Sequence, residues 1–145
     1  MLARELGELT GLPVHELDSL FWQPDGGAAS PGRWEAHQRA LVTADAWILD
    51  GDLGPYDYAL AARLRAADTI IVLDFPFLHC AWRTARRGRE RAEYWRWVWA
   101  YRRRWLPRLL QAIAGAAPQA ELHVLRSPGA VRRFTAGLQA GRGGC

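Results

Sequence analysis

Two apolar runs, each closed by an aspartate and a turn, constrain this chain more than anything else in it. Residues 45–76 read DAWILDGDLGPYDYALAARLRAADTIIVLDFP. Trp47-Ile48-Leu49 runs into Asp50-Gly51, and Ile70-Ile71-Val72-Leu73 runs into Asp74, with Pro76 close behind. Apolar, β-branched runs without polar alternation read as strands buried on both faces. Between them, residues 58–67 (YALAARLRAA) are strong helix formers, with Leu60 and Leu64 four apart on one face. Strand, helix, strand at this spacing predicts a βαβ unit with parallel strands. Ligands of such sheets gather at the carboxyl ends of the strands. Asp50 and Asp74 are expected there.

The flanking sequence extends the alternation. Residues 2–9 predict a helix with Leu2, Leu6 and Leu9 on one face, stopped at Thr10-Gly11. Residues 12–17 (LPVHEL) are a short strand weakened by Pro13. Residues 23–32 form a loop and 33–43 a helix, with Ser30-Pro31 near its start. Helices are expected over 77–87, 90–106 and 108–114, with Pro107 kinking or restarting the run. Residues 121–125 (ELHVL) predict the last strand. Ser127-Pro128 reads as an N-cap followed by proline at the first helical position, opening a helix over 129–138. Residues 140–145 are expected to fray. Four strands separated by helices make an α/β protein with a mainly parallel sheet.

At 145 residues the chain is read as one domain over 1–140 with a flexible tail over 141–145. No apolar run approaches the roughly 18–20 residues of a membrane span. No secretory apolar region follows Met1, so no membrane partner and a cytoplasmic location are expected. Cys80 and Cys145, without a CxxC or a Cys/His cluster, suggest neither a disulfide framework nor zinc. All 19 basic residues are arginine. A coding bias toward G and C explains that, but the consequence is chemical: no step that needs a lysine ammonium is open to these residues. Arginine can still clamp phosphates bidentately.

Asp50-Gly51 at a strand end suits a magnesium ion held through water beside a phosphate. A strand-end turn, with Asp50 capping a backbone amide, is the structural alternative. Asp18 has a similar position after the weaker strand, and Asp74 reads as a cap for the next helix. Residues 82–108 carry ten arginines and five of the eight tryptophans, with Glu90 and Glu93 as the acids. Interleaved arginine and aromatic side chains can stack on and neutralise nucleic acid, or close over nucleotide phosphates. An amphipathic helix is the plainer reading. Tyr94, Val98, Tyr101 and Trp105 fall on one face, with Trp95, Trp99 and Leu106 beside them. Mixed duty is expected, with aromatics packing and some arginines facing phosphate. The four histidines are scattered, with no HExxH and no Ser/His/Asp spacing.

Six segments together resemble a known family. They are LARELGELTGLPVHELDSLFW, WILDGD, ARLRAADTIIVLDFP, CAWRTARR, EYWRWVWAYRRRWLPRLL and HVLRSPGAVRRF. In this order they resemble the bacterial adenylate-kinase-like P-loop proteins, often labelled DNA topology modulation proteins, from Leu2 to about Leu138. The resemblance implies a nucleoside-monophosphate-kinase-like parallel sheet of five strands flanked by helices. It implies binding of ATP and Mg2+ and phosphoryl transfer to a small acceptor. By resemblance, Asp50 and Arg83 are catalytic, with Asp50 holding magnesium through water. Asp18, Gly51, Arg63, Arg86, Arg87 and Arg102 bind nucleotide or phosphate, with Arg86 and Arg87 where a short lid would begin.

The departure from the family lies at the start. There, LARELG follows a strand and a glycine-rich loop ending in GK[ST]. Here Met1 stands about where that Ser/Thr would be, and no GxxxxGK[ST] or lysine occurs elsewhere. The loop amides and lysine supply most of the β/γ-phosphate binding. ATP affinity is therefore expected to be severely reduced and transfer negligible. The strand before that loop is central in the family sheet. Its loss leaves the strands at Ile48 and Ile71 without their shared partner, unless they close up or another chain fills the gap. Each unpaired buried backbone group costs about 1–3 kcal/mol. Either the start lies about 15–20 residues upstream, the length of a strand plus loop, or this is a degenerate paralogue. The alternative function is a non-catalytic DNA-binding or regulatory protein using residues 82–108.

Overall fold

The first apolar stripe forms α1 (Leu2–Thr10) in a computed structural model that describes residues 2–22, 27–54, 57–75 and 101–142. Gly11 ends α1 with φ 75°, and its amide donates to the Gly7 carbonyl at 2.8 Å. A left-handed residue here costs glycine nothing. The chain continues through β1 (Val14–Glu16), α2 (Leu17–Phe21), α3 (Pro31–Leu41), β2 (Ile48–Asp50) and α4 (Leu60–Ala66). Then come β3 (Thr69–Leu73), a π-helical turn (Tyr101–Trp105), α5 (Leu106–Ala116), β4 (Glu121–Leu125) and α6 (Pro128–Arg142). The protein is mixed α/β, with small parallel sheets flanked by helices. No helix among the described residues is long and apolar enough to cross a membrane.

Two compact units divide the chain. One runs to Ala66 and resumes at Thr135; the other is Ala67–Phe134. In the first, β1 and β2 pair in parallel, with Val14 opposite Ile48 and Glu16 opposite Asp50. Pro13 has no amide to donate, yet its carbonyl accepts from Ile48 N at 2.8 Å and starts the ladder. The expected strand over 12–17 is shorter because Leu17 turns into α2. Leu17, Phe21, Trp34, Leu53 and Ala59 form the apolar core of this unit. Phe21 lies edge-on to both Trp22 and Trp34, with ring centroids 5.0 and 5.1 Å away.

In the second unit, β3 and β4 pair in parallel over their whole length, from Thr69 opposite Glu121 to Leu73 opposite Leu125. The ladder runs one bond further at each end, through Glu121 N to Asp68 O and Asp74 N to Leu125 O. Ser127 caps α6: its hydroxyl accepts from Ala130 N at 3.1 Å, with Pro128 as the first helical residue.

β2 pairs with β1, and β3 with β4. One sequence expectation is revised. Helix α6 runs to Arg142, so 140–142 do not fray, because extending a formed helix adds one bond per residue fixed. The expected restart at Pro107 is present. Proline inside a helix removes one donor and crowds the preceding turn, and the wider π-helical turn before it makes room. The helices expected over 77–87 and 90–100 lie outside the described residues.

Candidate functional site

The in-phase parallel pairing of β1 and β2 brings their carboxyl ends together. Glu16 and Asp50 are register partners, and each strand ends there. Past that line, β1 turns at once into α2, whose first turn carries Asp18, while β2 passes into Gly51-Asp52. Gly51 has φ 131°, and a Cβ on it would stand 3.2 Å from Leu17 Cβ. Only glycine meets both demands without strain. Asp52 Oδ1 accepts from Gly54 N at 2.8 Å and fixes the following turn. So the local turn read as an alternative at Asp50 is built by Asp52 instead.

Three carboxylates share this corner. The Asp18 carboxyl is pushed above its ordinary value, first by partial desolvation and then by the negative charges of Asp50 and Asp52. The residue as a whole is exposed, so the desolvation is local to the carboxyl. Arg4 of α1 supplies the counter-charge. Its guanidinium donates to Glu16 Oε1 at 2.6 and 3.0 Å. This pair holds the Glu16 carboxyl below its ordinary value and raises Arg4, to which Asp50 adds a weaker pull. Arg4, Glu5, Glu8 and Glu16 line an open cleft of about 430 Å³.

Among the described residues, no group of three His, Cys, Asp or Glu side chains is placed to hold a metal ion directly.

The sign of the Asp18 shift sets a pH test. A carboxyl that binds its proton more tightly when folded contributes nothing unfavourable below its unfolded pKa. Its cost appears as pH rises through the raised folded value. Asp18→Asn is therefore expected to raise stability modestly near neutral pH and to lose that gain on acidification. Denaturant midpoints at the two pH values measure it, and a gain that ignores pH rules the cause out.

Arg63 lies elsewhere in the same unit. Its guanidinium donates to Asp57 Oδ1 at 2.7 Å and Oδ2 at 2.6 Å, with the Arg63 side chain 10% exposed and the Asp57 side chain 0%. A third contact reaches Gln38 Oε1 at 3.4 Å. The two parallel bonds fill the fork that a phosphate would otherwise take. Trp34 and Gln38, one turn apart on α3, are both buried, and Trp34 Nε1 and Gln38 Nε2 have no acceptor among the described residues. A buried donor without an acceptor costs about 1–3 kcal/mol.

In the second unit, the ends of β3 and β4 carry the buried Asp74 and the exposed Arg126, whose Nε lies 3.4 Å from Asp74 Oδ2. Arg102 lies on the π-helical turn. Arg83, Arg86, Arg87 and the helix that Asp74 was expected to cap fall outside the described residues. Of the arginine and tryptophan segment, Arg103, Arg104 and Arg108 are described and exposed.

The structure thus brings Asp18, Asp50 and Gly51 to one corner, and surrounds Arg63 with Asp57 and Gln38. Sequence reading missed Arg4, Asp57 and Gln38. For Gln38 a signal existed: it sits between Trp34 and Leu41 on the apolar stripe of α3, where an amide is out of place.

No protein-family model, curated protein or solved structure matches the chain.

Proposed function

We propose that this chain is an adenylate-kinase-like nucleotide-binding domain of the kind labelled DNA topology modulation proteins. Its ancestral chemistry is ATP-dependent phosphoryl transfer to a small acceptor, and these 145 residues do not retain the grip on triphosphate that transfer needs. The order of the six segments carries the reading, from LARELGELTGLPVHELDSLFW to HVLRSPGAVRRF, and the two parallel strand pairs fit it.

The Asp50 corner supports the same reading. Parallel sheets offer ligands the carboxyl ends of their strands. Asp50 would hold a magnesium ion through water, with Asp18 and Asp52 adding negative charge and Gly51 leaving the approach clear. Magnesium, when bound, neutralises phosphate charge. Phosphate oxygens then fall to arginines, in this reading Arg83, Arg86, Arg87 and Arg102. Arg63 is engaged by Asp57 and would reach a phosphate only by exchanging one anion for another.

The chain has no GxxxxGK[ST] and no lysine. Calorimetric titration of the 145 residues with ATP and magnesium is therefore expected to show no saturation in the micromolar range. Micromolar affinity would overturn the argument about the loop. Reading the coding frame upstream supplies the positive arm. A chain extended by an in-frame strand and GxxxxGK[ST] is expected to bind ATP at micromolar concentration. If that longer chain also fails to bind, the nucleotide reading falls.

A further inference from the structure

Two hydrogen-bond donors on one face of α3 are buried without an acceptor among the described residues. Trp34 is 1% exposed and Gln38 0%, and neither Trp34 Nε1 nor Gln38 Nε2 finds a partner. Residues four apart on a helix are neighbours, so the two side chains leave α3 on the same face. The amide cannot be rescued by turning it over. Gln38 Oε1 faces Arg63 Nη1 at 3.4 Å, and a flipped amide would set donor against donor.

The chemistry of what would satisfy them is narrow. An indole N–H and an amide N–H offer no lone pair, so a metal ion is excluded. The charges beside them already cancel, because both oxygens of Asp57 are bonded to the Arg63 fork. A further anion would be buried without a counter-charge, which is unfavourable. The occupant must then be neutral, accept from N–H groups and be small enough to sit beside side chains 1% and 0% exposed. Water meets all three conditions, and buried waters typically bridge otherwise unsatisfied polar groups. Each carboxylate oxygen of Asp57, which is linked to Gln38 through Arg63, keeps a lone pair that can accept a water hydrogen.

We propose that Trp34 Nε1 and Gln38 Nε2 bind one long-lived internal water that joins α3 to the Arg63–Asp57 pair. The inference is independent of any nucleotide function, and a failure of that reading leaves it standing. The test is rotating-frame NMR on the full 15N-labelled chain. The indole signal of Trp34 is identified by its loss in Trp34→Phe. Its proton is expected to show a cross-peak to the water resonance of sign opposite to the diagonal, which marks dipolar contact and not proton exchange. The Gln38 side-chain amide should show the same. In Gln38→Met, which keeps the length and removes the donor, the Trp34 cross-peak should fall severalfold or vanish. A spectrum in which neither wild-type donor has such a cross-peak overturns the proposal, and that measurement needs no variant to fold.

Discussion

Arg63→Met is expected to cost about 3–5 kcal/mol of stability, the penalty for leaving a buried charge without its partner. The Asp57 side chain is 0% exposed, and its two oxygens receive guanidinium bonds of 2.7 and 2.6 Å. Take away the arginine, and a carboxylate sealed from water is left without its guanidinium donors, while Gln38 Oε1 loses its contact as well. Domains of this size have only about 5–15 kcal/mol in hand, so much of the molecule would unfold well below the parent's denaturant midpoint. The partner change, Asp57→Leu, should be comparably harmful. Combining the two should cost much less than their sum, with a coupling of about 2 kcal/mol or more, because an apolar pair leaves neither charge behind. Urea titrations of the four proteins close this cycle. If Arg63→Met alone lies within about 0.5 kcal/mol of the parent, the pair is not structural, and Arg63 becomes available for a phosphate again.

Phe21→Ala is the second large effect, again about 3–5 kcal/mol, the range for emptying a buried aromatic site. Phe21 is 1% exposed and stands edge-on to two tryptophans, with Leu17, Leu53 and Ala59 in the same cluster. Tryptophan rings are stiff, and a helix of five residues cannot slide far to close the hole. Trp22→Ala, next along the chain, is the control. Trp22 is 47% exposed, so its removal should cost markedly less. The same urea series distinguishes the two. Equal losses at 21 and 22 would mean that the packing around Phe21 does not hold the unit together.

Where residues act through their own backbone, the sequence was readable. Gly11 ends α1, Ser127 caps α6, Pro107 restarts a helix, and Asp50-Gly51 closes a strand. Each is decided within about one helical turn by sterics or by a single side-chain oxygen. The candidate corner was legible to the same extent, since Asp50 follows a short apolar run and Asp18 a weaker strand. Arg63 was marked by resemblance as a phosphate ligand, but its partners were not visible. Asp57 lies six residues away in a loop, and Gln38 lies on another helix, twenty-five residues back. Nothing in either neighbourhood announces the other.

Among the described residues, the amino-acid order by itself placed most of the helices and strands, because those outcomes are settled by local torsions and apolar spacing. Tertiary structure alone decided which strand bonds to which, and which charges lie buried face to face. Those choices depend on where distant backbone and side chains can satisfy one another out of water. β2 and β3 are neighbours along the chain, yet each bonds a different strand.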